Sequence, residues 1–204
     1  LYDSHVKLGA KMVDFHGYLM PVSYQSIVDE CKTVRTNVGV FDVSHMGQIL
    51  ISGINSKIFI QKMMVNDINK INKGQVQYNL ICNKNGGIMD DVLVYNLGEE
   101  YMIVPNASNT KKIFKWLLKN KINNVSILNK SDQYSLIAVQ GPKSRLLLSQ
   151  LFNKIKNLSY YNFTKDKYKG EDILISRTGY TGELGYEILG DAQVISKIWE
   201  NLIN

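Results

Sequence analysis

The spacing of apolar and polar positions changes period several times along the chain. Segments with apolar residues three and four apart predict helices. "SIVDECKTVRT" (26–36) puts Ile27, Cys31 and Val34 on one face, with Ser26 as N-cap and Asp29 three residues on. "NSKIFIQKMM" (55–64) predicts a shorter helix, and "SNTKKIFKWLLKNK" (108–121) groups Ile113, Trp116 and Leu117 opposite a set of lysines. In "GPKSRLLLSQLF" (141–152) Pro142 stands where a first helical turn tolerates it. "DAQVISKIWENLIN" (191–204) has Asp191 as cap and Val194, Ile195, Ile198, Trp199 and Leu202 as its buried stripe. Between these lie strand-like runs: "GQILISG", "QYNLICN", "GIMDDVLVYNL", "EEYMIVPN", "VSILNK", "YSLIAVQG" and "DILISRTG". Short turns such as "NKNGG" and "NLGEE" join several of them, which predicts antiparallel hairpins rather than parallel crossovers. The fold class expected is α+β, mainly antiparallel sheets with packed helices.

One run breaks the strand pattern. "GIMDDVLVY" carries adjacent acids, Asp90 and Asp91, inside an apolar stretch. Successive strand residues face opposite ways, so the two carboxylates point apart and one of them faces a core or a pocket. Alternation groups Asp91 with Met89, Leu93 and Tyr95, and leaves Asp90 on the other face.

Composition narrows the classes. The 204 residues are enough for one large domain or two small ones, and 45% hydrophobic with 21% charged residues is ordinary for a globular protein. No apolar run reaches membrane-spanning length. The start "LYDSHVKLGA" has no leader pattern, so the expectation is that a targeting peptide was removed or never present. The net charge of +6 comes mostly from lysine, in "NTKKIFKWLLKNKINN" and "YYNFTKDKYKGED". That suits a solvated face, or attraction to a polyanionic ligand or acidic partner protein. Arginine is scarce and no basic helix has interleaved aromatics, which argues against nucleic acid. Cys31 and Cys82 are expected to be reduced, buried thiols. His5, His16 and His45 show no paired metal-ligand spacing, so no metal is expected.

Four segments are rich in glycine and polar groups beyond what packing requires: "GVFDVSHMGQ" (39–48), "QYNLICNKNGGIMDDVLVY" (77–95), "VPNASN" (104–109) and "SRTGYTGELGYEI" (176–188). Singly, each reads as a turn, a hairpin, a cap or a glycine-rich loop. Together with the opening block "LYDSHVKLGAKMVDFHGYLMPVSYQSI", "VRTNVGVFDVSHMGQ", "VNDINKINKGQVQYNL" and "AVQGPK", their order and spacing resemble the aminomethyltransferase (T-protein) family of the glycine cleavage system. The resemblance runs from the first residue to the last.

That resemblance implies a folate-binding fold of two interleaved lobes, here approximately 1–52 with 134–204, and 53–133. It implies transfer of the one-carbon unit of an aminomethyl group from the lipoyl arm of H-protein to tetrahydrofolate, giving 5,10-methylenetetrahydrofolate and ammonia. Tetrahydrofolate is then a co-substrate, the lipoylated H-protein the partner, and neither metal nor covalent catalysis is required. The aminomethyl carbon gains positive charge as ammonia leaves and is iminium-like once bound to a folate nitrogen, so a fixed carboxylate beside the pterin nitrogens would orient the nucleophile and stabilise positive charge. The family's GGI-x-DD motif assigns that role to Asp91, with Asp90 as second choice. Tyr78 matches a position beside the pterin, and Glu183 a carboxylate that recognises its amino-pyrimidine N–H donors. Tyr180 and Met46 match pocket-lining residues, Asn106 a polar neighbour, and Arg177 and Tyr161 are further candidates.

Two departures appear. Leu184 stands where the family usually has a small or acidic residue. The family's later glycine- and arginine-containing motif and its C-terminal barrel-like domain lie beyond these 204 residues, so the expectation is the front part of something longer. The resemblance implies the mitochondrial matrix in a eukaryote and the cytoplasm in a bacterium. Two relatives of the same superfamily are alternatives: a non-catalytic folate-binding scaffold, and the folate domain of a dimethylglycine- or sarcosine-oxidising enzyme. The first lacks the acid pair and carries a lysine–glycine–cysteine motif. The second would carry a flavin-binding region upstream. A basic binding module without enzymatic activity would explain none of the motifs.

Overall fold

The computed structural model describes residues 1–203. The chain divides into two compact units. The first holds Leu1–His45, Ser135–Tyr160 and the chain from Thr164 onward; the second holds Met46–Tyr134 and Tyr161–Phe163.

The first unit begins with α1 (Tyr2–Lys7), the hairpin β1 (Lys11–Phe15) and β2 (Tyr18–Ser23), then α2 (Ile27–Thr36) and β3 (Gly39–Asp42). In α2 the Ser26 side chain accepts the Asp29 N–H at 3.3 Å, the cap the sequence predicts. Its apolar stripe is not buried, however: Ile27 is 65% exposed and Cys31 is also exposed.

The second unit runs through β4 (Ile49–Ser52), α3 (Ser56–Met63), β5 (Val76–Cys82), β6 (Ile88–Asn96), β7 (Glu100–Pro105), α4 (Thr110–Lys119) and β8 (Ser126–Asn129). Its five-stranded sheet has the order β5-β6-β7-β4-β8, and every neighbouring pair is antiparallel. Because β4 pairs with both β7 and β8, residues 46–52 belong with this unit. Ile113 and Leu117 of α4 and Phe59 and Ile60 of α3 join Val92, Val94 and Ile103 in one buried cluster. Tyr161–Phe163 joins the edge: the Tyr161 carbonyl accepts the Val76 N–H at 2.7 Å, and Phe163 donates to the Gly74 carbonyl at 2.8 Å.

The chain then returns to the first unit with β9 (Ser135–Gln140), α5 (Ser144–Leu148), β10 (Phe163–Tyr168), β11 (Glu171–Ser176), β12 (Gly185–Gly190) and α6 (Ala192–Ile203). The sheet order is β10-β11-β12-β9-β3. All six residues of β12 are buried, and α6 packs Val194, Ile195, Ile198 and Trp199 into the same core. Asp191 accepts the Gln193 N–H at 2.8 Å, as a capping residue would. The helix expected over 141–152 is only five residues long, and Pro142 precedes it.

The antiparallel α+β architecture is thus the one the sequence predicts. Two local expectations are corrected. Cys31 and Cys82 are free thiols, but neither is buried: Cys31 sits on the open face of α2 and Cys82 next to a β-bulge. Met89 does not share a face with Asp91. The register shifts between Ile81 and Cys82, where Ile81 pairs with Asp90 and Cys82 with Ile88, so Met89 is the extra residue of the bulge. It packs against the core cluster instead.

Candidate functional site

The Asp90–Asp91 pair lies on the β5–β6 hairpin. Asn83 shapes its turn by accepting the N–H groups of Asn85 and Gly87 on its side-chain oxygen at 2.9 and 3.0 Å. Gly86 has a φ of 81°, a left-handed conformation that glycine takes without strain. Beyond the bulge the strand alternates regularly, and the two carboxylates separate. Asp90 is 4% exposed, whereas Asp91 is on the exposed face.

Both Asp90 oxygens are engaged. One accepts the Asn106 backbone N–H at 3.0 Å; the other accepts the side-chain amides of Asn106 at 3.0 Å and Asn109 at 2.6 Å. The same Asn106 amide reaches the Asp91 carboxylate at 3.0 Å and the Asp91 carbonyl at 3.1 Å. An oxygen in that position would face only oxygens, so these acceptors fix which end of the amide is nitrogen. Tyr78 pairs with Leu93, two residues from Asp91 along β6 and on the same face. Burial, then the Asp91 charge and a hydrogen bond to Asp91, push the Tyr78 phenol above its ordinary value. The second unit therefore gathers Tyr78, Asp90, Asp91 and Asn106. Met46 and Tyr161 belong to the same unit: the Met46 carbonyl accepts the Gln48 amide at 2.8 Å, and the Tyr161 carbonyl accepts the Val76 N–H.

In the first unit the segment between β11 and β12 carries Arg177, Tyr180 and Glu183. It wraps the fully buried side chain of Gln140, whose amide donates to the Thr178 carbonyl at 3.2 Å and accepts the Thr181 hydroxyl at 2.9 Å. A Cβ at Gly179 or Gly185 would collide with that amide, so close packing requires two of the three glycines of "TGYTGELG", while Gly182 takes a left-handed φ of 79°. Arg35 of α2 holds the loop from outside, donating to the Thr181 carbonyl at 2.6 Å and to Glu183 at 3.1 Å. Leu184 packs against the unit's core, which accounts for an apolar residue there. Tyr180 is 69% exposed, its ring 6.4 Å from that of Phe41. Arg177 turns the other way and donates to the Leu158 carbonyl at 3.3 Å.

Sequence reasoning assigned no role to Arg35 or Gln140, although both lie in quoted motifs. It also missed a buried polar chain in the first unit. His5 is 1% exposed and bonds Asp42 at 3.0 Å and Tyr24 at 2.9 Å. Burial raises the Asp42 carboxyl, but the bonds from His5 and Ser44 outweigh it and hold the group below the usual range. Burial, with the charges of Asp42 and Glu30, pushes the Tyr24 phenol up to about 12. His45 is half-buried against the rings of Phe15 and Tyr18, and burial holds its imidazole below the ordinary value against the pull of Asp42. Among the described residues no group of three or more His, Cys, Asp or Glu side chains is arranged to hold a metal ion. No helix of the described residues is long and apolar enough to cross a membrane.

Comparison with known proteins defines the class. The sequence profile of the GCVT N-terminal domain matches residues 1–204. Aminomethyltransferases of Halothermothrix orenii and Thermosipho melanesiensis are 45% and 48% identical over the whole chain, which covers 57% of each. The crystal structure of the glycine cleavage system aminomethyltransferase T from Bartonella henselae superposes with a TM-score of 0.91 at 29% identity, over 100% of this chain and 56% of that one. A heterotetrameric sarcosine oxidase from Corynebacterium, at 14% identity and a TM-score of 0.61 over 85% of this chain and 87% of that one, shares the fold alone.

The chain belongs to the GCVT N-terminal domain family. It spans little more than half the length of the curated relatives it matches.

Proposed function

We propose that this chain serves aminomethyl transfer, moving the one-carbon unit of an aminomethyl group from the lipoyl arm of an H-protein to tetrahydrofolate: the carbon–nitrogen and carbon–sulfur bonds break, releasing ammonia and the reduced dihydrolipoyl arm. The observation that carries the reading is an exposed carboxylate, Asp91, held by the Asn106 amide on the strand face it shares with Tyr78, in a chain aligned over its whole length with aminomethyltransferases. Tetrahydrofolate, when bound, supplies the nucleophilic nitrogens. Asp91 accepts a hydrogen bond from them and stabilises positive charge developing at the transferred carbon. Its own donors keep it from rotating away, so little reorganisation accompanies the step. Glu183, tethered by Arg35, offers a carboxylate to the adjacent N–H donors of the pterin ring. Each unit by itself offers groups of the kind such a ligand needs: the second a carboxylate, an amide and a phenol in Asp91, Asn106 and Tyr78, the first the Glu183 carboxylate and the exposed ring of Tyr180.

The proposed partner is a lipoylated H-protein. A stretch of 31 residues, 101–131, contains six lysines and no carboxylate, and Lys111, Lys112, Lys115 and Lys119 line a groove of about 510 Å³ along α4 with Trp116. A basic row of this kind steers an acidic protein, so the association rate should fall steeply as salt rises. A rate unchanged between 50 mM and about 300 mM salt would remove the lysine row from docking. The cytoplasm is the proposed compartment, since the relatives compared are bacterial.

The test is turnover by the full-length protein. Supplied with aminomethyl-loaded H-protein and tetrahydrofolate, it should release ammonia and 5,10-methylenetetrahydrofolate in equal amounts. Absence of product, or ammonia released at the same rate without folate, would overturn the assignment.

A further inference from the structure

We infer that Asp90 is a positioning residue, which acts on Asp91 through the amide of Asn106. The inference rests on the proposed role of Asp91 for its catalytic consequence, but the geometry stands by itself. Buried carboxylates are rare and need donors. Asp90 has three: the Asn106 backbone N–H at 3.0 Å, the Asn106 side-chain amide at 3.0 Å and the Asn109 amide at 2.6 Å.

Asn106 is thereby fixed through its backbone N–H, its carbonyl and its side-chain NH₂. Its N–H and one side-chain bond go to Asp90, and its carbonyl accepts the Asn109 N–H at 3.0 Å and the Thr110 hydroxyl at 3.1 Å. What remains of its side-chain donor capacity is directed at the Asp91 carbonyl and carboxylate. The two acids of the motif face opposite ways on the strand, yet one amide at the sheet edge touches both. The order of contact is Asn109, Asp90, Asn106, Asp91, with Tyr78 against Asp91 from the neighbouring strand. Simple fold support would explain a buried acid, but it would not require that the residue held by Asp90 also hold the exposed acid.

Asp90→Asn is nearly isosteric but turns one acceptor into a donor. That NH₂ must then face either the Asn106 N–H or the two side-chain amides, so at least one link opens. In the full-length protein, one-carbon transfer should slow on the order of tenfold to a hundredfold, the scale of a slightly misplaced catalytic group, with KM for tetrahydrofolate changed less than threefold. In an Asp91→Asn background, adding Asp90→Asn should cost less than about twofold further, because the residue it positions is already gone. Multiplicative losses in the double variant would overturn the relay.

A second readout needs no turnover. The Tyr78 phenol, titrated by NMR on ring-labelled tyrosine with Tyr78→Phe as the assignment control, should move down toward its ordinary value in Asp90→Asn. A titration unchanged from wild type would overturn the relay. If Asp90→Asn does not fold, Asn109→Ala removes only the 2.6 Å side-chain bond of a half-buried residue in a short 3-10 helix, and the same two readouts should shift in the same direction, several-fold in rate. Loss of the proposed function itself looks different: wild type would show no transfer, or Asp91→Asn would equal wild type, while the Tyr78 titration would still report on the relay.

Discussion

Replacing Arg35 with Ala withdraws one guanidinium from two acceptors, the Thr181 carbonyl at 2.6 Å and Glu183 at 3.1 Å. The two side chains are 53% and 28% exposed, and pairs of that kind contribute about 0–1 kcal/mol to stability. The loop keeps its bonds to Gln140, so the melting temperature should fall by less than ~3 °C. Ligand binding should suffer more. An untethered Glu183 must be ordered afresh at each binding event, at about 0.5–1.5 kcal/mol for one long side chain, and the freed Thr181 carbonyl raises the total to about 1–2 kcal/mol. That converts to a Kd for tetrahydrofolate weaker by roughly five- to thirtyfold. Isothermal calorimetry gives the affinity, and a calorimetric melt of the same samples gives the stability. Arg35→Lys keeps the charge without the planar fork and should fall between. An affinity within twofold of wild type would refute the argument. So would a melting loss above ~8 °C, since Arg35 would then support the fold and not the carboxylate.

Other variants separate packing from electrostatics in the first unit. His5→Phe keeps ring contacts near Tyr24 and Trp199 but strips Asp42 and Tyr24 of a partner; with bonds to charged groups at about 1.5–3 kcal/mol and neutral ones near 1, the loss should be about 3 kcal/mol, or roughly 6–12 °C in melting temperature. Because the folded Asp42 carboxyl sits below its unfolded value of 3.8, that stabilisation is complete above pH 3.8 and disappears below it, so the gap between variant and wild type should close in strong acid. Glu187 behaves in the opposite sense. Burial, against a hydrogen bond from Thr178, raises its carboxyl above 4.5, so its contribution is complete below pH 4.5 and is lost as pH rises through the folded value. Glu187→Gln should therefore melt higher than wild type at pH 7 and level with it near pH 4, and a constant offset across that range would contradict the assignment.

How far local pattern reaches is visible in β6. From Asp90 to Asn96 the period of two holds, and it separates Asp90 from Asp91 as alternation requires. It fails one residue earlier, at Met89, because a bulge inserts a residue and no apolar spacing announces it. The periodicity of α2 predicts its helix and its Ser26 cap, yet Ile27 and Cys31 remain exposed, since amphipathicity says which face is apolar and not what covers it. Strand β12, "GYEILG", is hidden by being buried on both faces, which erases alternation, and by glycines that read as loop. Arg35 and Glu183 are 148 residues apart, and Thr181 and Gln140 are 41 apart. Contacts at that range depend on sheet order, which a short window does not contain. The family motifs did mark the segments involved, and the structure adds why their glycines and amides are there.

The most direct test of the account is Asp91→Asn in the full-length protein, assayed with aminomethyl-loaded H-protein and tetrahydrofolate. The side chain keeps its size, and its amide oxygen can still accept from Asn106. What it loses is the negative charge. The predicted result is a kcat lower by roughly 10²–10³, as for other lost charge-stabilising groups, with the Kd for tetrahydrofolate within about threefold of wild type. A kcat within threefold of wild type would contradict the central claim that Asp91 carries the transfer.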